Sequence, residues 1–491
     1  MDYQVFISLG IYMLGMILIG LWAYKRTSNI SDYMIGGREL GPAVTALSAG
    51  ASDMSGWMVM GLPGAMYATG LASAWLAIGL TIGAYFNYIL LAPRLRTYTE
   101  VANDSITIPD YLENRFQDSS KILRLVSGIV ILVFFALYAS AGMVSGGKLF
   151  ESAFGLSYET GLFVTVGVIV IYTLFGGFIA VSWTDFVQGV IMLLALVIVP
   201  IVAFTEIGGP TTMWTDIKQI DPSRLDLFKG TSVLGIISFI AWGLGYFGQP
   251  HIIVRFMAIK DIKDLKVARR IGIGWMAISL IGAMLVGLIG ISYFQNRQEL
   301  LSDPETVLIV FANILFHPYV TGFVLAAILA AIMSTVSSQL LVTSSALTED
   351  FYRTFLKKDA TDRELVLVGR ISVLIVAIVS LVLAYTPNDT ILDIVGKAWA
   401  GFGSSFGPVI LLSVYWKKMT KWGALAGMAV GGLTVIIWIL TGLTDVIYEM
   451  IPGFFLSMLA VIVVSKLTTN DDPKVEEQYE EMEKQLAKNM K

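Results

Sequence analysis

The sequence reads Ala49-Gly50-Ala51-Ser52-Asp53-Met54-Ser55-Gly56-Trp57 in the middle of an otherwise apolar run at residues 40–62. Such a run is long enough to cross a bilayer as a helix. A carboxylate within it is costly and predicts a functional site, unless Asp53 is protonated or pairs with a neighbouring helix. Glycines on both sides favour a break, although glycines alone also serve close helix packing. Freed carbonyls, hydroxyls and a carboxylate are together the oxygen ligands of a hard cation.

A second interruption lies in the apolar run at residues 230–253, which contains Ala241-Trp242-Gly243-Leu244-Gly245-Tyr246-Phe247-Gly248-Gln249-Pro250-His251. Three glycines and a proline predict a broken helix with aromatic side chains beside it, and the alternative is an ordinary proline kink. The two interrupted runs are five spans apart, so they cross the membrane in opposite directions. Interrupted helices in corresponding positions of two opposed halves predict an inverted-repeat transporter.

The whole chain has the composition of an all-α integral membrane protein. Hydrophobic residues make up 56% of the 491 residues and charged residues 14%, whereas soluble domains are typically about one quarter charged. We predict one transmembrane domain at residues 1–466, with repeats at about 40–206 and 230–415, and a solvated polar tail at 467–491. About thirteen spans are expected, at residues 3–23, 40–62, 71–93, 123–147, 158–179, 185–206, 230–253, 271–295, 317–345, 367–386, 392–415, 422–441 and 447–466.

The distribution of basic residues gives this map an orientation. With the N-terminus outside and the C-terminus in the cytoplasm, all but six of the 33 Lys and Arg residues fall on the inner side, as the positive-inside rule requires. The six outer ones are Lys148, Lys218, Arg224, Lys229, Arg297 and Lys397. An odd number of spans places the two termini on opposite sides of the membrane and keeps this distribution of basic residues, whereas an even number would disturb it.

Several classes of function lack support in the sequence. There is no cysteine, and the two histidines are far apart, so no metal cluster is indicated. We find no paired acid and base and no nucleotide-binding loop at membrane depth, so we do not expect an enzyme. No nucleic-acid partner and no obligate protein partner is evident. A transporter-like sensor remains an alternative, although such proteins usually carry a longer signalling domain than this tail.

The predicted ninth span, residues 317–345, carries a stripe of small residues on one helix face. A stripe of this kind lets another backbone approach closely. Its hydroxyl groups could complete a sodium site with the second span, while the alternative is packing with hydroxyls bonded to their own helix. The stripe comprises Ala327, Ala331, Ser334, Thr335 and Ser338.

Five segments resemble the sodium/solute symporter family, and within it the sodium/proline symporters. They are Gly36-Gly37-Arg38-Glu39-Leu40-Gly41-Pro42, residues 48–57, Gly176-Gly177-Phe178-Ile179-Ala180-Val181-Ser182-Trp183-Thr184-Asp185, residues 242–251 and Ala331-Ile332-Met333-Ser334-Thr335. The resemblance covers nearly all of residues 3–466. It implies a LeuT-type core of ten helices in a 5+5 inverted repeat, with one extra span before the core and two after it.

The resemblance also implies roles for individual residues. Sodium would be bound by the carbonyls of Ala51, Met54 and Ala331 and the hydroxyls of Ser334 and Thr335. Asp53 would serve sodium entry and binding, with Ser55 and Gly56 beside it. The positions matching proline binding and gating are Trp57, Tyr138, Trp242, Tyr246 and Pro250, and those matching gating or coupling are Arg38 and Asp185.

The expected activity is symport of L-proline with about one sodium ion, by alternating access, across the inner membrane of a bacterium. Sodium would bind first and fix the second span against the ninth, and proline would then bind beside it. The remaining alternative within the family is another substrate, such as a different amino acid, pantothenate or a sugar.

Overall fold

The structure, a computed structural model, describes residues 3–25, 30–175, 177–295, 297, 301–387, 389–469 and 472–489. These residues form helices, and the one strand-like contact among them is an isolated bridge between Leu40 and Ile259. Gly176, part of one segment of the resemblance, lies outside the described residues. The helices are α1 (Tyr3–Tyr24), α2 (Ile30–Ile35), α3 (Pro42–Asp53), α4 (Leu62–Thr69), α5 (Ala74–Phe86), α6 (Ala92–Val101), α7 (Ile108–Arg115), α8 (Ile122–Phe154), α9 (Tyr158–Phe175), α10 (Phe178–Ile207), α11 (Pro210–Ile220), α12 (Val233–Ala241), α13 (Pro250–Ala258), α14 (Leu265–Phe294), α15 (Val307–Leu315), α16 (Pro318–Ser345), α17 (Asp362–Ala384), α18 (Ile391–Tyr415), α19 (Lys421–Leu440), α20 (Met450–Leu467) and α21 (Lys474–Asn489).

Within the described residues, ten helical segments are long and apolar enough to cross a membrane, or eleven with one bent pair counted as a span. The difference from thirteen has identifiable sources. The helical run from Trp57 to Val101 counts once, although Gly70 turns the backbone within it at a φ of +74°. The apolar part of α9 is short, at Tyr158–Ile171. All-helical architecture is therefore confirmed, while the number thirteen stays a prediction.

The second predicted span is broken where the sequence indicated. Helix α3 ends at Asp53, and Met54 leaves helical geometry with φ −81° and ψ 81°. A π-helical turn at Trp57–Gly61 then leads into α4. Three residues thus separate two half-helices, and lipid could not satisfy the backbone groups freed there.

The seventh predicted span is broken as well. Helix α12 continues as a tight 3₁₀ turn at Trp242–Gly248, and Pro250 opens α13 at a bend of 46°. Proline suits the first turn of a helix because its missing N–H has no partner to lose there. Gly243 allows the turn to touch the carbonyl of Gly79 on α5, where an added Cβ would come within 2.3 Å.

Some predicted boundaries were wrong. The helix expected to end at residue 62 continues through α4 to Thr69, and that expected at 185–206 begins at Phe178. Asp185 consequently lies inside α10 rather than at the start of a span.

Helix α16 forms the centre of the molecule. Of its most apolar stretch, 89% is buried inside the protein, compared with 11% for α1 at the periphery. It packs against α1, α3, α8 and α10. Small side chains such as Ala327 and Ala331 explain this position, because they let several helices approach one backbone closely.

The polar tail folds back onto the protein as α21, which differs from the solvated tail expected. Its apolar side chains Val475, Met482 and Leu486 are buried. Glu483 pairs with Arg94 at the start of α6, at 2.6 Å. Lys417, after α18, pairs with two further glutamates of the tail helix. The charge run is thus the outer face of an amphipathic helix whose inner face is packed.

Candidate functional site

The break after α3 brings a carbonyl group into contact with α16. The Ser334 hydroxyl donates to the Ala51 carbonyl at 2.7 Å, and the Thr335 hydroxyl donates to the same oxygen at 3.2 Å. Ser334 also reaches the Ala331 carbonyl at 3.2 Å. All four residues are buried. Four of the five residues assigned to sodium are therefore adjacent through their oxygen atoms.

Met54, the fifth, is buried at the break itself. Its own N–H remains bonded to the Gly50 carbonyl, as the last bond of α3. The hydroxyls of Ser334 and Thr335 bond to the carbonyls of Ala51 and Ala331, and not to that of Met54. An all-oxygen set of carbonyls and hydroxyls suits a hard cation such as sodium, and the hydroxyl protons can rotate away when a cation binds.

Asp53 lies next to this oxygen cluster and is 1% exposed. The Tyr246 hydroxyl donates to Oδ2 at 2.5 Å. The other carboxylate oxygen, Oδ1, has no hydrogen-bond partner among the described residues. A buried acceptor without a partner is costly, so Oδ1 is the atom of this carboxylate that could accept a further donor, carry a proton or meet a cation.

Aromatic residues enclose Asp53. Its backbone carbonyl accepts a hydrogen bond from the indole of Trp57 at 2.9 Å and one from the Tyr138 hydroxyl at 3.3 Å. Tyr246 presents its hydroxyl from the broken α12–α13 segment. Three of the five residues assigned to proline binding thus converge from three separate elements.

Trp242 and Pro250 lie apart from that group. Trp242 stacks on Tyr448 with ring centroids 5.3 Å apart, and its carbonyl accepts from the Trp399 indole at 2.7 Å. Trp242 and Tyr448 also line a cavity of about 540 Å³ between α12, the start of α18 and the segment that joins α19 to α20. Pro250 instead lines a narrow cleft with Ile131.

Ser55 and Gly56 have packing roles in this structure. The Ser55 hydroxyl accepts from the Trp57 N–H at 3.4 Å and so helps to start the next helical turn. A Cβ on Gly56 would lie 2.0 Å from the Ser145 hydroxyl of α8. Glycine is therefore required at position 56 for the break to fit against α8.

Asp185 belongs to a separate polar cluster that the sequence analysis missed. Its Oδ2 accepts from Ser48 at 2.8 Å, from Arg255 at 3.3 Å and from Ser338 at 3.4 Å. Arg255 also donates to both serine hydroxyls, and the side chains of Arg255 and Asp185 are completely buried. The cluster ties together α3, α10, α13 and α16. In the sequence, Arg255 is one of many basic residues that the charge distribution places on the inner side, so its pairing with Asp185 could not be recognised.

Trp399 is a second residue that was missed. Its ring meets Tyr246 edge-on at 5.0 Å and lies parallel to Trp242 at 6.4 Å. It therefore connects the aromatic group around Asp53 to the stack at the cavity. Its surroundings in sequence, an apolar helix with several glycines, are also typical of a packing residue and gave no distinct signal.

Arg38 connects segments at the opposite end of the broken helices. It pairs with Asp104 at 2.9 Å and donates to the carbonyls of Met257 and Ser105 at 2.6 and 2.8 Å. Met257 belongs to the last turn of α13. Arg38 thus holds the end of the second broken helix beside the start of the first, and its role in gating or coupling stays a prediction.

The profile described as "Sodium:solute symporter family" matches residues 33–431. The osmoregulated proline transporter OpuE of Bacillus subtilis is 63% identical over 95% of this chain and 96% of its own. The high-affinity proline transporter PutP of the same species is 63% identical over 96% and 100%. A sodium/proline symporter of Staphylococcus aureus is 56% identical over 95% and 93%.

Solved structures share the fold. A substrate-bound, outward-open Na⁺-coupled sialic acid symporter superposes with a TM-score of 0.79, at 19% identity, over 96% of this chain and 99% of its own. Mhp1, a nucleobase-cation-symport-1 family transporter in a closed conformation, gives a TM-score of 0.56 at 15% identity, over 93% and 99%. The expected LeuT-type architecture is thereby confirmed.

Proposed function

The chain belongs to the sodium:solute symporter family, and on that premise we propose that it carries L-proline across the membrane together with sodium. The observation that carries the proposal is the cluster formed by the Ala51 and Ala331 carbonyls and the Ser334 and Thr335 hydroxyls, next to Asp53. The three relatives at 56–63% identity are named for proline, and one of them for sodium as well. The protein is a transporter of the bacterial cell membrane and not an enzyme.

Sodium coupling follows from how the cluster is divided between elements. Ala51 belongs to the broken second span, whereas Ala331, Ser334 and Thr335 belong to the central helix α16. A cation held by both would fix one element against the other. About one sodium per proline is proposed, with Asp53 guiding the ion in and Met54 adding its carbonyl.

Proline would bind beside the ion, among Trp57, Tyr138 and Tyr246. An apolar pyrrolidine ring suits aromatic faces, and its charged groups suit the polar ends of broken helices. Trp242 would close the site on the side of the large cavity, and Pro250 would fix the start of α13. On the opposite side of the site, Arg38 and Asp185 would hold α13 in place, Arg38 through the Met257 carbonyl and Asp185 through Arg255.

Transport would then proceed by alternating access between two repeats, at about residues 40–206 and 230–415, within a transmembrane domain at 1–466. We propose that the N-terminus lies outside and the C-terminal helix in the cytoplasm. The driving force is the sodium gradient plus the membrane potential, which supplies about 2.3 kcal/mol per charge per 100 mV.

The test is uptake of radiolabelled proline into proteoliposomes, with and without an inward sodium gradient. Unlabelled amino acids, pantothenate and sugars serve as competitors. We expect uptake that depends on sodium and is blocked by proline and its close analogues. Sodium-dependent uptake of a different solute would preserve the coupling and refute the substrate, and the absence of any sodium effect would refute both.

A further inference from the structure

A further cavity, of about 310 Å³, lies between the start of α14 and the π-helical turn Asn87–Leu91 that joins α5 to α6. Three basic side chains line it at a spacing of three residues. They are Lys263, on the 3₁₀ turn before α14, and Lys266 and Arg269, on the first turns of α14. Side chains three residues apart on a helix lie on one face. The spacing therefore gives this basic cavity one positively charged wall.

The charges of the basic cavity are not neutralised within the described part of the chain. Lys260, just before them, pairs with Glu39 at 2.9 Å. The three basic side chains of the wall form no ion pair among the described residues, not even with the neighbouring Asp264. Asp261 instead accepts from the backbone N–H of Lys263 at 2.9 Å. Since the N-terminal end of α14 adds partial positive charge, the cavity attracts an anion.

Apolar surface of the membrane-spanning helices adjoins the basic cavity. Ile89 lines the cavity and is itself exposed. Further exposed apolar side chains follow along α5 and α14, namely Ile82, Phe86, Val267 and Ile278. The helical runs that contain α5 and α14 are both long and apolar enough to cross a membrane, so these side chains face lipid. Cations at the end of a lipid-facing surface suit a ligand with an anionic head and an apolar tail.

An exposed tyrosine places one of the cations at this boundary. The guanidinium of Arg269 lies 5.3 Å from the centroid of the Tyr85 ring, and this cation–π contact holds it beside α5. A guanidinium can donate two parallel hydrogen bonds to a phosphate, whereas a lysine ammonium acts as a point charge. Tyrosine is also enriched at the level of lipid headgroups. The chemistry of the cavity is thus that of a phosphodiester site at the membrane surface.

We propose that the basic cavity binds the headgroup of an anionic phospholipid. The phosphodiester lies against Lys263, Lys266 and Arg269, and the acyl chains follow the exposed apolar faces of α5 and α14. A zwitterionic headgroup is disfavoured because its own cation would meet the positively charged wall. Asn489 of α21 also lines the cavity, so the bound lipid contacts the tail helix as well. The inference does not depend on which solute is transported.

The experiment is native mass spectrometry of the full-length protein in detergent. Phosphatidylglycerol and phosphatidylcholine with the same acyl chains are added in equal amounts, and the bound lipids are counted. We expect the unmodified protein to retain phosphatidylglycerol over phosphatidylcholine by at least about tenfold. Lys266→Gln/Arg269→Gln should lose most of this preference, because it removes two of the three charges. Lys266→Arg/Arg269→Lys, which conserves both charges, should keep it.

A second pair of basic residues provides the matched control. Lys358 and Arg363 are exposed and belong to a segment that the charge distribution also places on the inner side. Lys358→Gln/Arg363→Gln removes one lysine and one arginine, as the first variant does, and should retain the preference for phosphatidylglycerol. Excess inorganic phosphate should not displace the lipid, because the acyl chains contribute to its binding.

Thermal unfolding gives an independent measurement of the same binding. In vesicles, an equimolar mixture of phosphatidylglycerol and phosphatidylcholine should raise the Tm of the unmodified protein and of the control variant above that in phosphatidylcholine alone. The Tm of Lys266→Gln/Arg269→Gln should be equal in the two membranes. If that double variant does not fold, Lys263→Gln is held to the same criteria and should weaken the preference.

Three results would overturn the inference. Equal retention of the two lipids by the unmodified protein would show that the cavity does not select an anionic headgroup. An equal loss of preference in the control variant would assign the effect to overall surface charge. Displacement of phosphatidylglycerol by inorganic phosphate at a similar concentration would make the cavity a site for a soluble anion. Each of these results would leave the proposed transport function untouched.

Discussion

Two buried carboxylates of this protein, Asp53 and Asp185, differ in how their charge is accommodated. Asp185 accepts from two serines and from Arg255, so its counter-ion is part of the chain. Asp53 accepts from a single tyrosine and has no basic group bonded to it among the described residues. Each carboxylate keeps one oxygen, Oδ1, without a hydrogen-bond partner among the described residues, so the two sites differ in the counter-ion: Arg255 supplies one to Asp185, whereas we propose that a bound cation supplies one to Asp53. Four substitutions test this contrast.

Removing the counter-ion of Asp185 should have the largest effect. Arg255→Met leaves a buried, uncompensated carboxylate, which we expect to destabilise the folded protein by about 3–5 kcal/mol. Thermal unfolding in detergent, together with the yield of folded protein, measures the loss. The double variant Arg255→Met/Asp185→Leu should recover most of the stability. Failure of the double variant to recover would show that the two residues act separately.

Removing the charge of Asp53 should affect transport rather than folding. Asp53→Asn keeps the size of the side chain but loses the attraction for a cation, and we expect sodium-stimulated proline uptake to fall about 100-fold, equivalent to roughly 2.7 kcal/mol. Stability should change little, because no buried partner loses its counter-ion. Uptake with unchanged sodium stimulation would refute the role of Asp53.

Removing one oxygen of the cluster on α16 should have an intermediate effect. Ser334→Ala deletes a hydroxyl that contacts both Ala51 and Ala331, and we expect the sodium concentration for half-maximal uptake to rise about tenfold. Ser337→Ala is the matched control, since that buried hydroxyl bonds to the Ser334 carbonyl of its own helix. Equal effects of the two substitutions would point to helix packing instead of ion binding.

The smallest effect is expected from the single hydrogen bond that Asp53 does receive. Tyr246→Phe removes the donated hydroxyl but keeps the aromatic ring against Trp399, and sodium half-saturation should shift about threefold, within the net worth of a single hydrogen bond. Sodium titrations of uptake at saturating proline measure this shift. A shift as large as that of Asp53→Asn would mean that Tyr246 itself is a principal ligand.

The features predictable from sequence are those with a local pattern. Glycines around Asp53, and glycines with Pro250 in the seventh span, encode helix breaks within a few residues, and the small-residue stripe of α16 follows helical spacing. The Ser48–Asp185–Arg255–Ser338 cluster joins four distant segments and has no local signature. Its serines resemble ordinary packing residues, and its arginine resembles any basic residue near a membrane boundary.

The tail illustrates a different limit. Its run of acidic residues is typical of a solvated segment. The packed face is marked by a few spaced residues, namely Val475, Met482 and Leu486, which are buried, and Tyr479, whose ring contacts that of Tyr98. Whether such a weakly apolar face packs against the protein depends on the side chains of the surface opposite it. Here Arg94, 389 residues before Glu483, and Lys417, 63 residues before Glu480, lie opposite the glutamates, so neither contact has a local signature in the sequence.

The stack of Trp242 between Trp399 and Tyr448 gives the protein a built-in optical reporter. Tryptophan emission depends on the rings and the water around the indole. These three rings come from α18, the segment before α20 and the broken seventh span. Any movement that parts them and admits water from the adjoining cavity changes the fluorescence of Trp242. A difference spectrum against Trp242→Phe would isolate that contribution from the other ten tryptophans of the 11 present, and would time the opening of the site without an attached dye.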